Sequence, residues 1–244
     1  MVLPQGLNFN VTHFQHSYVV TEQGVAACFG HSQNNQALNI IKNAAHPSVR
    51  EELTAKAAEF PPSYTSSDVV TNRIRAEVKN ISVLTIKKDL ELDTPIFLSR
   101  KCGNTPELSR VLIQAGENSK SVVIIENNGT GEIGEEIEVS LASGASLDLI
   151  SLQEWDRSAV HIGQHHAIIS KDAQFNSYVV SIGGSVVRIS PTVEFTGAGS
   201  FADLYGVYFA TDGQHLEHRI HVNHNVPNAK SRVNYKGALA GDQA

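Results

Sequence analysis

Four histidines recur at every third position in Gln214-His215-Leu216-Glu217-His218-Arg219-Ile220-His221-Val222-Asn223-His224. Imidazoles in such number invite a metal centre. Ile220 and Val222 favour a strand, however, and a strand turns His215 and His221 to one face and His218 and His224 to the other. Same-face members then stand roughly 20 Å apart, against about 4 Å between two ligands of one ion. His218 and His224 are therefore weak metal candidates, open only to a site shared with another coil or chain. His161, His165 and His166 form a second cluster of the same kind. Gly129-Thr130-Gly131-Glu132-Ile133-Gly134 matches a dinucleotide loop, which needs a helix N-terminus aimed at the pyrophosphate. The residues directly after it, Glu135-Glu136-Ile137-Glu138-Val139-Ser140, alternate like a strand and put carboxylates where phosphates would lie. A glycine-rich turn is the better reading.

The elements that must position these residues fall into two regions, 1–65 and 66–244. In the first, His16–Thr21 and Val25–Phe29 read as short strands around Glu22-Gln23-Gly24. Helical spacing covers Gln36–Ala45 and stops at Pro47. Ser48 and Glu51 then spell a capping box. Val49, Leu53, Ala57 and Phe60 give a second helix one apolar stripe, ended by Pro61-Pro62. Beyond about Val69, short Val-, Ile-, Ser- and Thr-rich runs alternate with Gly, Asn and Asp, as strands and turns do. Only Pro106–Ala115 reads as a short helix. Taking Ala145, Ala173, Gly199 and Ala229 as markers, a pattern recurs at steps of 28, 26 and 30, with Gly116 as an earlier member. A loose period near 28 with two or more strands per repeat is the mark of stacked coils, whose inner faces are buried only by their neighbours. An antiparallel sandwich or jelly roll is the rival.

The chain has 244 residues, of which 41% are hydrophobic and 18% charged, enough for a proper core. Its net charge of -6 argues against nucleic acid as a partner, and no apolar run is long enough for a membrane span. The N-terminus lacks the basic and apolar regions of a secretory signal. Cys28 and Cys102 stand far apart outside any CxxC, as in a reducing compartment, so the expected location is cytoplasmic. Neither cysteine has a base nearby in sequence, and no GxSxG, P-loop or HExxH occurs. Asp203, Asp212 and Glu217 could supply the two facing carboxylates of a glycosidase, but nothing in their spacing demands it.

An ordered series of short motifs carries a family resemblance. Gln153-Glu154-Trp155-Asp156, Ala159-Val160-His161 and Gln164-His165-His166-Ala167 resemble a segment of SufD-type proteins. Gly213-Gln214-His215-Leu216-Glu217, His224-Asn225-Val226-Pro227, Ser231 and Tyr235-Lys236-Gly237-Ala238-Leu239 resemble the core of the SufB/SufD family. The match runs over roughly residues 80–244. It implies a right-handed parallel β-helix behind a small α-rich region, serving as a non-catalytic scaffold of the SUF system for iron–sulfur cluster biogenesis. The scarcity of cysteines favours the SufD type over SufB. The resemblance further implies SufB-like and SufC-like (ATPase) partners. It implies no bound cofactor, with iron or a cluster entering only in the full complex. Family members continue past the Tyr235-Lys236-Gly237 motif through further coils and a helical domain, so the chain reads as truncated, its uncapped coil open to self-association. Trp155, Asp156, His215, His224, Pro227, Ser231, Tyr235, Lys236 and Gly237 read as fold and interface residues of the matching segments. A β-helix enzyme cleaving polysaccharide and a metal-dependent jelly-roll enzyme are the alternatives.

Overall fold

In the computed structural model, residues 18–27, 33–59, 74–75, 77–78 and 81–241 are described. The chain divides into two compact units, residues 1–66 and 67–244.

In the first unit, β1 (Tyr18–Thr21) and β2 (Gly24–Ala27) pair antiparallel around Glu22 and Gln23. His16, Ser17, Cys28 and Phe29, at the margins of the predicted strands, lie outside the described residues, as does Phe60. Helix α1 (Gln33–Asn43) begins three residues earlier than its apolar pattern. A 3-10 turn (Pro47–Val49) then leads into α2 (Arg50–Glu59). The expected capping box does not form. Ser48 lies inside the turn, and the His46 ring accepts from the Ser48 backbone N–H instead. Pro47 causes the difference: its fixed φ suits the first helical position, which moves the cap to the residue before it.

The second unit is a parallel β-helix of about six turns. One sheet has six strands: β4 (Ile96–Cys102), β6 (Lys120–Gly129), β8 (Ser146–Trp155), β10 (Gln174–Gly183), β12 (Phe201–Ala210) and β15 (Lys230–Leu239). The facing sheet stacks β3 (Ser82–Ile86), β5 (Glu107–Ala115), β7 (Glu132–Leu141), β9 (Val160–Ile169), β11 (Val186–Phe195) and β13 (His215–His218), with β14 (His221–Asn223) also paired to β11. Every pairing described in this unit is parallel, which overturns the sandwich and jelly-roll alternatives.

The segment expected as a helix from Pro106 to Ala115 is strand β5. Its Val111, Ile113 and Ala115 are buried while the alternate Leu112 and Gln114 are not, a period of two that outvotes its short helical spacing. Parallel neighbours on both sides, β3 and β7, complete its hydrogen bonding.

The repeat has its physical origin at one corner of each coil. Asp89, Asn118, Gly144, Asp172, Gly199 and Asn228 all take positive φ, at steps of 29, 26, 28, 27 and 29 residues. Asn, Asp and Gly tolerate that conformation best. At the four central corners the next residue turns inward, and Ser119, Ala145, Ala173 and Ser200 are buried. Ser200 and Ser119, rather than the expected Gly199 and Gly116, therefore stand level with Ala145 and Ala173.

Inward positions fill a lumen. At the positive-φ corner it is apolar, built from Ile137, Leu141, Leu147, Leu149, Ile169 and Phe195. Each such side chain contributes about 1.5–3 kcal/mol relative to exposure. That packing is what holds successive coils in register and fixes the direction of every remaining side chain.

Candidate functional site

A polar band crosses the lumen between that apolar corner cluster and a second apolar one of Cys102, Ile133, Trp155, Val179, Val187 and Ile189. Glu135 on β7 points inward between Ile133 and Ile137, and the register sets it level with Gly163 of β9. His161 and His165 flank that glycine and also face inward. The His161 Nε2 lies 3.4 Å from Glu135 Oε2, and the His165 Nε2 lies 4.0 Å from the same atom. Asn127 donates to both carboxylate oxygens at 3.2 Å, and Arg100 approaches Oε1 at 3.4 Å. Glu135, His161 and Asn127 have no solvent exposure.

A buried carboxylate is costly unless it is paired and hydrogen-bonded. Burial alone would raise the Glu135 pKa. His161, then His165 and Arg100, outweigh it and hold the carboxyl well below its ordinary value. For His165, burial dominates the pull of Glu135 and pushes the ring down to about 4, so it is neutral at pH 7. Among the described residues, the ring nitrogens of His161 and His165 meet Glu135 only at ion-pair distance, without a hydrogen bond of ordinary geometry. A cavity of about 10 Å³ beside His165, between Val139, Leu149, Phe175 and Val193, has room for about one water molecule.

The polar column continues toward β15. Gln153 Oε1 accepts from Ser181, whose hydroxyl also meets His218 Nε2 at 2.8 Å. Tyr208 and Tyr235 pack edge-on against the His218 ring. Burial drives His218 down to about 4 as well. Tyr235 has space because Gly206 lies opposite it: a Cβ there would stand 2.1 Å from the Tyr235 ring.

The expected site residues are placed by this alternation. His218 sits at an inward level and His215 and His221 outward, as strand geometry required. His224, just past β14, packs on Phe195 and reaches the Ser231 hydroxyl at 2.9 Å. Trp155 is buried and edge-on to His161, whereas Asp156 is in the exposed turn after β8. Pro227 occupies the turn before β15. Tyr235 and Gly237 face inward, with Lys236 exposed between them. Among the described residues, no group of three His, Cys, Asp or Glu side chains is arranged to hold a metal ion. His166 belongs to the outer surface, 3.8 Å from Glu194.

The carboxylates proposed for glycoside cleavage do not face one another. Asp203 is on the outside of the six-stranded sheet, bonded to Tyr205 and near Arg232. Glu217 is on the outside of the opposite sheet, between Arg188 and His215. Asp212 is exposed in the connection between β12 and β13.

Sequence reasoning missed the role of Glu135, Asn127 and Arg100. The signal available was period: Glu135 falls in phase with Ile133, Ile137 and Val139. It also missed Glu136, which is outward yet fully buried under Arg75 and Arg110.

The SUF-system iron–sulfur cluster assembly SufBD core domain matches residues 97–244. The chain belongs to the SufBD family. An iron–sulfur cluster assembly SufBD family protein of Mycobacterium leprae is 36% identical over 183 residues, covering 71% of this chain and 46% of the relative. One from Mycobacterium tuberculosis is 35% identical over 189 residues, covering 75% and 48%. The chain thus spans about half the length of these relatives. The acetyl-CoA hydrolase/transferase C-terminal domain also resembles residues 1–57, less than half the chain, and supports no assignment. Within the SufBD match fall β5 to β15 and the whole polar column from Arg100 to Tyr235.

Proposed function

We propose that this chain is the β-helix portion of a SufD-like, non-catalytic scaffold for iron–sulfur cluster assembly. The observation that carries the reading is the match of residues 97–244 to the SufBD core domain, over the same strands that form the coil. Its scaffold character is supported by where the chemistry sits. Among the described residues, the carboxylate and imidazole groups with strongly shifted behaviour are gathered inside the lumen, where no polymer could reach Glu135 or His165. The relatives' names attach them to cluster assembly, and the same role is inferred for this chain.

A SufB-like protein and a SufC-like ATPase are the partners this reading calls for. Self-association is also part of the proposal. No helix among the described residues is long and apolar enough to cross a membrane, and a cytoplasmic location is part of the proposal. Iron or a cluster would be cargo of the full complex rather than a resident cofactor.

Genetic complementation tests the function. Deleting the complete gene should lower the activity of a [4Fe–4S] enzyme in cells dependent on the SUF system, and re-expression should restore it. Normal cluster enzyme activity in the deletion strain under iron limitation would refute the assignment.

A further inference from the structure

The outer face of the six-stranded sheet carries an apolar ladder that the coil itself does not use. The register aligns Phe97, Ile124, Ile150, Tyr178 and Tyr205 on five successive strands, all turned outward. The Tyr178 and Tyr205 rings stack at 5.3 Å and 11°. Two residues along, Val207 is 46% exposed, and beyond it Ile182 and Phe209 stand level at 48% and 47%. Phe97, at the far end, is 67% exposed. Contiguous apolar surface of this kind on a β-sheet marks an interaction site.

Its electrostatics narrow the occupant. Strands β8, β10 and β12 contain no Lys, Arg or His. Glu126, Asp148 and Glu154 point outward around the ladder, and none is in an ion pair among the described residues. Asp203 is matched by Arg232. The lysines of this sheet stand on its end strands β4 and β15, apart from Lys120, which pairs with Glu91. Nucleic acid and anionic lipid would be repelled. A second copy packed face to face would oppose the same carboxylates. A chain with an apolar stripe bordered by Lys or Arg satisfies both features.

We propose that the outer face of the six-stranded sheet is a docking surface for a cationic amphipathic segment of a partner protein. The apolar ladder takes the stripe, and Glu126, Asp148 and Glu154 take the flanking charges. This surface is separate from the polar band of the lumen and does not depend on the scaffold reading.

The test is fluorescence anisotropy of the full chain with a labelled 18-residue helical peptide of leucine and lysine, and with its leucine–glutamate counterpart. The lysine peptide should bind with a micromolar Kd, and the glutamate peptide at least tenfold more weakly. Phe209→Asp with Ile182→Asp should weaken lysine-peptide binding at least tenfold. An added carboxylate would tighten a purely electrostatic contact, so weakening identifies apolar docking. Glu154→Lys, an exposed change that leaves the core intact, should weaken binding severalfold and flatten its salt dependence. Equal binding of both peptides, or unchanged or tighter binding by the Asp variants with native circular dichroism, would overturn the proposal. So would self-association, or binding to anionic phospholipid vesicles, that those variants abolish.

Discussion

Acid should destabilise the β-helix well before its carboxylates protonate. His165 and His218 are inside the lumen with their pKa values pushed down to about 4, chiefly by burial, against an ordinary 6.5. The unfolded chain therefore binds more protons than the fold as pH drops from 6.5 toward 4, and stability is lost across that window. At pH 5 each ring costs about 2 kcal/mol, so the two together cost about 4 kcal/mol, a large part of a typical domain's margin. For a unit of this size that lowers Tm by about 8–16 °C. Glu135 and Glu217, whose pKa values are held below 4.5, give up their contributions only at still lower pH, outside the comparison. Thermal unfolding followed by circular dichroism at pH 7 and pH 5 gives the number. His165→Gln removes one of the two rings and should roughly halve the loss. Identical Tm at the two pH values, or full pH dependence retained by both His165→Gln and His218→Gln, would refute the burial argument.

Three further outcomes rest on named contacts. Gly206→Ala places a methyl group 2.1 Å from the Tyr235 ring and should cost about 1–3 kcal/mol, read by urea unfolding. Glu136→Ala removes a fully buried carboxylate from Arg75 and Arg110 and should cost about 1–3 kcal/mol, since each guanidinium keeps some contact with water. The Cys102 thiol is pushed up to about 11 by burial and then by Glu107, so it should resist thiol reagents in native Cys28→Ser protein at pH 8. It should react stoichiometrically in denaturant, and fast native labelling would contradict its placement.

Much of the coil was legible because its physics is local. The αL corners favour Asn, Asp or Gly, and the four central ones are each followed by a small inward residue, so a repeat near 28 shows through even where Ser200 replaces the expected glycine marker. Strand alternation also sorted His215, His218 and His221 onto the right faces. What stayed hidden depends on which strand lies beside which. Glu135 looks like a solvated carboxylate until the register brings Gly163 over it and His161 and His165 to either side. Likewise β5 carries too little periodicity of its own to exclude a helix, and only β3 and β7 decide it. His46 takes over the cap of the second helical segment because of Pro47, a substitution that a motif centred on Ser48 does not register.

A scaffold must be found in the particle it organises. Native mass spectrometry of the complete gene product, co-expressed with a SufB-like protein and a SufC-like ATPase, weighs that directly. The expected result is one intact particle containing all three chains, stable to purification. Recovery of the product on its own, with its would-be companions forming a complete particle without it, would contradict the scaffold role.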